Sequence, residues 1–438
     1  MINGNQLYQF CFHSVGQGLF YTGKIEDFKF IYDCGSKPVK PVIGAVNNFL
    51  KNNSWAKSKI DALIISHLDY DHVSGIEYLL KKTSVRCVIM PYVSNIERIL
   101  LILKNTRAPG WYISFVTDPV SYLIENFVET EKADQIILVV PEDEENGFIG
   151  PFNDGDLTGK NEFFDIERQV EYIERIEEET EIKQKWRKYL DNRKIIFRTH
   201  KGDIFPVIKW KFRFFVNEVE ETRLQKFKKC IDELMKSNKL VDILREKSLR
   251  DKLKNEYKNL TSNLNITSLV LYHGPIDSHR VIGPIGICCH RNFCKIRMYG
   301  ENYCHDLINC DLSFCCNRIK SCLHYIPFLQ INTARGQLLT GDIDLMNNYN
   351  KFYEHMKNEL SNTGLCLIPH HGSKKSWNPK ILEDAKNCLL WVSSAGIYNR
   401  YGHPCVQVIN DIVYKNEKYF YSVNELKGLL LTYQKKSN

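Results

Sequence analysis

The segment Ser66-His67-Leu68-Asp69-Tyr70-Asp71-His72 places four metal-capable side chains within six residues. Imidazole and carboxylate are the donors that hold zinc, manganese and related divalent ions. Alternating His67 and Asp69 can converge on one point from an extended turn, while Asp71 and His72 face a second. Hydrolytic two-metal sites hold their ions ~3.5–4 Å apart, so one such segment can serve both. Leu339-Thr340-Gly341-Asp342 offers a further acid, and Pro369-His370-His371-Gly372-Ser373 a histidine pair. A last segment, Asn399-Arg400-Tyr401-Gly402-His403-Pro404, adds a cation and another imidazole.

Each of these segments follows an apolar run that reads as a strand. Asp61–His67 is a buried strand, His72–Lys82 a short helix and Val85–Pro91 a strand stopped by proline. Phe28–Gly35 is a strand ending in a turn at Asp33. This β-α-β rhythm predicts an α/β sheet. Leu365–Pro369 and Leu389–Gly396 repeat it near the C-terminus, and Ser268–Leu271 with Leu338–Asp342 read as adjacent strands. Lys194–His200 and Ile208–Val216 alternate at period two across a Gly202–Asp203 link and predict a hairpin. Val15-Gly16-Gln17-Gly18 lacks the lysine and following helix of a phosphate-binding loop and reads as a tight turn between two early strands.

The ordered set resembles the metallo-β-lactamase fold, whose central loop carries a His-x-His-x-Asp-His signature. It is more closely similar to the nuclease-like domain of ComEC-type competence (DNA internalisation) proteins. The matching segments are Val15–Gly18, Asp33 with Gly35, His67–His72, Ser268–Leu271, Leu338–Asp342, His370–Ser373 and Arg400–Pro404. Cys34 intervenes between Asp33 and its glycine, and Ser74 stands where a glycine is usual. The resemblance implies a four-layer αββα sandwich with large insertions. It also implies a metal-dependent hydrolase, foremost a phosphodiesterase or nuclease cleaving DNA or RNA. The alternatives are hydrolysis of a small substrate (a nucleotide signal, thioester or lactam) or a partner-binding scaffold with an idle site.

The resemblance implies two divalent ions. His67 and Asp69 would hold one, Asp71 and His72 the other, with Asp342 bridging and His371, in preference to His370, completing the shell. Asp69 stands where the lactamase signature has histidine, so the site is richer in oxygen. That favours manganese over zinc. Asp71 and His403 are the catalytic candidates, His403 at the leaving oxygen. Arg400, Asn399 and Ser373 are candidate phosphate contacts, and Asp33 orients His67 or His72 from behind.

The chain has 438 residues, 43% hydrophobic and 25% charged, which excludes disorder throughout. No apolar run approaches the ~18 residues of a spanning helix, and the N-terminal residues do not read as a secretory signal. A cytoplasmic protein without membrane contact is expected. The net charge of +7 is compatible with nucleic acid as partner. Of 15 cysteines, eight fall between Cys288 and Cys322. Their spacing allows a structural zinc held by Cys288 or Cys289, His290, Cys294 and Cys304. The expected organisation is a core domain in pieces: 1–141, a hairpin at 194–217, a strand at 263–273 and 331–438. Between them lie a charged, partly helical insertion at 142–193, a charged helical one at 218–262 and the Cys-rich one at 274–330, and these insertions could bind a protein partner.

Overall fold

The structure is a computed structural model. It describes residues 7–105, 108–140, 180–200, 209–217, 267–277, 281–290, 335–416 and 418–435, with five scattered positions between 229 and 252. Among the described residues, fifteen strands form two sheets. They are β1 (Leu7–Phe12), β2 (Phe20–Ile25), β3 (Phe28–Cys34), β4 (Ile60–Ile64), β5 (Val85–Pro91), β6 (Ala133–Val140), β7 (Ile195–Thr199), β8 (Trp210–Asn217), β9 (Ser268–Pro275), β10 (Val281–His290), β11 (Gly336–Leu339), β12 (Thr363–Leu367), β13 (Leu390–Ser394), β14 (Tyr419–Val423) and β15 (Lys427–Lys435). The first sheet runs β10-β15-β1-β2-β3-β4-β5-β6-β7 and the second β14-β13-β12-β11-β9-β8. The α-helices that cover them are α1 (Lys40–Asn52), α2 (Tyr70–Val73), α3 (Ile76–Lys82), α4 (Asn95–Lys104), α5 (Gly110–Thr117), α6 (Pro119–Leu123), α7 (Thr180–Asp191), α8 (Leu345–Ser361), α9 (Lys380–Asp384) and α10 (Val406–Val413).

The layering follows from strand periodicity, because successive side chains point to opposite faces. In β3, Phe30 and Tyr32 enter the core between the sheets, while Ile31 packs outward with Val42, Val46 and Phe49 of α1. In β4, Ala62 and Ile64 face inward and Leu63 and Ile60 outward, which is why this strand is apolar on both faces. A third core lies outside the second sheet, where Val270, Leu338, Cys366 and Trp391 meet Phe352 and Met356 of α8 and Val408 and Ile412 of α10. Helix, sheet, sheet, helix is the expected αββα sandwich. Among the described residues, no helix is long and apolar enough to cross a membrane.

Three sequence expectations change. The hairpin at 194–217 does not form: β7 pairs parallel with β6 at the edge of the first sheet, and β8 pairs antiparallel with β9 in the second. Its period-two pattern fits any half-buried strand and does not name the partner. The end of the 142–193 insertion is core, because parallel β6 and β7 require a crossover. That role falls to α7, whose Trp186 is 1% exposed and lies 6.2 Å, ring to ring, from Tyr92. Likewise residues 281–290 of the Cys-rich insertion form β10, which pairs with β15. Cys288, Cys289 and His290 therefore sit on a sheet-edge backbone, while Cys294 and Cys304 lie outside the described residues. Apart from scattered positions, so does the 218–262 insertion.

Candidate metal centre

The candidate residues lie past the carboxyl ends of parallel strands, where open α/β sheets place their sites. β3 and β4 run parallel, as do β11, β12 and β13. Asp33 and the His67–His72 loop therefore leave the first sheet at the end where Asp342, His370–His371 and the 396–403 loop leave the second. Two glycines fit the motif loop against its neighbours. A Cβ on Gly18 or Gly35 would collide with the Asp71 carbonyl. The turn joining β1 to β2 thus packs directly behind the metal loop, which gives the Val15–Gly18 segment its purpose.

Hydrogen bonds fix the imidazoles. Asp33 is fully buried and adopts φ +57°. It accepts the Ser66 N–H at 2.7 Å, the Ser66 hydroxyl at 2.6 Å and His72 Nδ1–H at 2.8 Å. With its proton given to Asp33, the Ser66 oxygen accepts His67 Nδ1–H at 2.8 Å. His371 donates Nδ1–H to the Ser394 carbonyl at 2.6 Å. His370 Nδ1 meets the Ser376 hydroxyl at 3.1 Å. Each ring thus spends Nδ1 outward and turns Nε2 inward, which is the arrangement that prepares histidine for a metal.

These Nε2 atoms surround Asp342. Its Oδ2 lies 3.4 Å from His370 Nε2 and 3.6 Å from His67 Nε2, and its Oδ1 lies 3.3 Å from His72 Nε2 and 3.8 Å from His371 Nε2. The carboxylate is therefore two-sided, with one histidine of the His370–His371 pair on each side. Adjacent residues can do this because both take left-handed backbone angles, φ +47° and +57°. Asp71 Oδ2 joins the second side, 3.5 Å from His371 Nε2. Asp69 Oδ2 lies on the first side, 3.8 Å from His67 Nε2. Two tight triads result, His67–His72–Asp342 and Asp71–His72–His371.

The site's chemistry calls for a cation. His72 and His371 bring their Nε2 atoms within 3.3 Å of each other. His67 Nε2, Asp69 Oδ1 and Asp342 Oδ1 are buried without a hydrogen-bond partner. Burial opposes charge on Asp342, yet His370, His371, His72 and His67 outweigh it and hold its carboxyl well below the usual range. Burial also opposes charge on His72, and Asp342 and Asp33 overcome it, raising the pKa well above the ordinary value. His371 is raised by Asp342 and Asp71 against the same penalty. A pocket that draws protons onto buried imidazoles also draws metal ions, and this donor set fits a pair of divalent ions.

The remaining candidates divide. His403 lies beside the centre, its ring 5.6 Å from His370 and 6.4 Å from His371. Burial lowers its pKa to about 4, so the ring is neutral at neutral pH. Asn399 is committed to its own loop rather than to a ligand. It accepts His403 N–H at 2.9 Å and donates to the Gly396 and His403 carbonyls at 2.6 and 2.5 Å. Ser373 is buried in the His370–His371 turn, and Arg400 is exposed. Sequence reading missed Lys104, at the end of α4, whose Nζ reaches Asp69 Oδ2 at 2.5 Å. No motif marks it; only the packing of α4 brings it to the site.

Residues 17–93, from the β1–β2 turn to just past β5, match the Metallo-beta-lactamase superfamily profile. Together with the four-layer architecture, this gives the core a metallo-β-lactamase fold with insertions. No curated protein matches the chain. Among solved structures, it is similar to the metallo-beta-lactamase fold protein YhfI from Bacillus subtilis (7% identity, TM-score 0.36, covering 97% of this chain and 99% of that one). It is also similar to human tRNase Z, short form (10% identity, TM-score 0.34, covering 88% and 92%). Both likenesses are too distant to carry an assignment of activity.

Proposed function

We propose that the chain is a metal-dependent phosphodiesterase, most simply a nuclease acting on DNA or RNA. The observation that carries the metal-dependent part is Asp342, a buried carboxylate with two imidazole Nε2 atoms on each oxygen. His67, His370 and Asp69 would hold one ion, and Asp71, His72 and His371 the other, with Asp342 shared. Three carboxylates in this shell make it oxygen-rich, so manganese is favoured over zinc. Divalent ions bound there would supply an activated water at neutral pH and polarisation of a phosphoryl oxygen.

The chain's own residues do the rest. Asp33 and Ser66 hold His72 and His67 in the tautomer that leaves Nε2 bare. Asp71 stays ionised through its hydrogen bond to His371 and the charges of His72 and His371, against the cost of burial. His403, neutral at neutral pH, offers an N–H to an oxygen of the leaving group. The preference for a nucleic-acid substrate rests on the resemblance to the ComEC-type domain. The net charge of +7 agrees with it, as do exposed Lys374, Lys375 and Arg400 near the ligand-bearing turns.

The test is degradation of labelled single- and double-stranded DNA and RNA with Mn²⁺, Mg²⁺ or Zn²⁺, beside Asp71→Ala. Metal-dependent cleavage by the wild type and not by the variant is expected. Binding of two ions with no cleavage of any nucleic acid would move the reading to a small substrate.

A further inference from the structure

The two metal positions are not equivalent, and the difference lies in Lys104. Asp71, on the second side, faces His371 and contributes to a triad with His72 and His371. Asp69, on the first side, contributes to neither triad. Its Oδ2 is held by the Lys104 ammonium at 2.5 Å, and its Oδ1 is buried without a partner.

Lys104 is well placed to stay there. α4 begins in a capping box, Ser94 accepting the Glu97 N–H while Glu97 accepts the Ser94 N–H at 3.0 Å. Glu97 also accepts the Thr267 N–H at 3.1 Å, tying the helix to the start of β9, whose Ser268 hydroxyl meets the Asp342 N–H. Leu100, Leu101 and Ile102 are buried beneath it. The last turn therefore delivers the Lys104 ammonium to one place, while the side chain as a whole remains 42% exposed. An ammonium cation on a ligand carboxylate both neutralises the ligand and repels a dication beside it.

We infer that Lys104 competes for Asp69 with a metal ion on the first side of Asp342, so that the two positions fill in sequence. The Asp71–His72–His371–Asp342 position fills first. The His67–His370–Asp69–Asp342 position fills only as the ammonium is displaced. A phosphodiester that draws Lys104 onto its own oxygens would complete the centre, which couples assembly to substrate. The inference rests on the metal-centre reading.

Calorimetric titration of the chelator-treated full chain with Mn²⁺, with bound metal counted by mass spectrometry, tests it. The wild type binds one ion tightly and a second at least about tenfold more weakly, from the Coulomb effect of a unit charge at contact. Lys104→Met tightens the second ion about tenfold or more, and Lys104→Arg preserves the gap. Asp69→Asn abolishes the weak ion and Asp71→Asn the tight one. Methionine keeps most of the side-chain volume, and circular dichroism verifies the fold. Two ions of equal affinity in the wild type overturn the inference, as does a second ion that is unchanged or weaker in Lys104→Met. A chain that binds no divalent ion at all overturns the metal-centre reading itself.

Discussion

Replacing Asp33 by asparagine tests how the protein prepares its imidazoles. The wild-type carboxylate accepts three hydrogen bonds in a fully buried position, from Ser66 N, Ser66 Oγ and His72 Nδ1. Asparagine offers one oxygen and one NH₂ group. The Ser66 backbone N–H cannot turn away, so the new oxygen faces it and the NH₂ faces Ser66 Oγ and His72. The serine hydroxyl can rotate. His72 can avoid a donor–donor clash only by moving its proton to Nε2, the atom that must be bare to bind metal. Affinity for the ion that His72 holds should fall 10–100-fold, roughly the cost of losing the partner behind a ligating histidine, or about 1.4–2.7 kcal/mol. The metal-free protein should lose about 1–3 kcal/mol of stability for one poorly paired buried donor. Calorimetric Mn²⁺ titration reads the first quantity, and urea unfolding in chelator the second. A folded Asp33→Asn protein with metal affinity within about twofold of wild type would refute the tautomer argument.

Gly35→Ala should destabilise the chain by about 1–3 kcal/mol or more, because the added methyl meets the Asp71 carbonyl; an unchanged melting temperature would contradict the packing described. His403→Gln should keep the metal stoichiometry and lower phosphodiester turnover about 10²–10⁴-fold, and loss of a bound ion would instead make His403 a ligand. His273 supplies a pH prediction away from the metals. Burial holds its pKa near 3 against the ordinary 6.5, so below pH 6.5 the unfolded chain takes up a proton that the folded chain refuses. The stability it contributes is complete above pH 6.5 and is lost as pH falls toward 3, about 2 kcal/mol of it by pH 5. Urea unfolding in chelator at pH 7.5 and 5 should show this loss reduced by that amount in His273→Gln, and an identical loss in both proteins would exclude it.

The His67–His72 motif is legible in sequence because its side chains are contiguous and the strand before them is apolar on both faces. Asp342 and the histidine pair are legible because each ends an apolar run. The roles of His370 and His371 are not, since which ring faces which oxygen depends on left-handed backbone at both residues. Asn399 shows the same limit in reverse. A polar residue beside a catalytic candidate suggests a ligand contact, yet all its capacity goes to shaping the 396–403 loop. The strands at 195–199 and 210–217 show it at the level of the fold. Alternation gives each strand a buried face, but the choice between pairing locally and joining opposite sheets is made by partners far along the chain. That α7 is helical is legible in its apolar spacing, but its place in the core is hidden by its charge, because Ile182, Trp186, Tyr189 and Leu190 are a buried stripe within an otherwise polar segment.

The spacing of these donors is in turn a property of the interface between the sheets. Asp33, His67 and His72 belong to the first sheet, and Asp342, His370 and His371 to the second. Neither half can bring together the atoms around Asp342. What holds the halves in register lies just beneath the site. The Tyr32 hydroxyl donates to the Leu269 carbonyl at 2.8 Å and to the Leu339 carbonyl at 3.2 Å, reaching across from β3 to β9 and β11. The Leu269 N–H bonds the Ser66 carbonyl at 2.7 Å, and Asp342 N–H meets the Ser268 hydroxyl at 3.3 Å. Ser66 is thus tied to Asp33 and His67 through its side chain and to the second sheet through its carbonyl. A shift of one sheet against the other moves the Asp342 carboxylate relative to His67 and His72 together. The Ser268–Leu271 strand therefore belongs with the candidate donors although it contributes none itself. Its backbone is the joint across which donors from opposite sheets are held at a fixed distance.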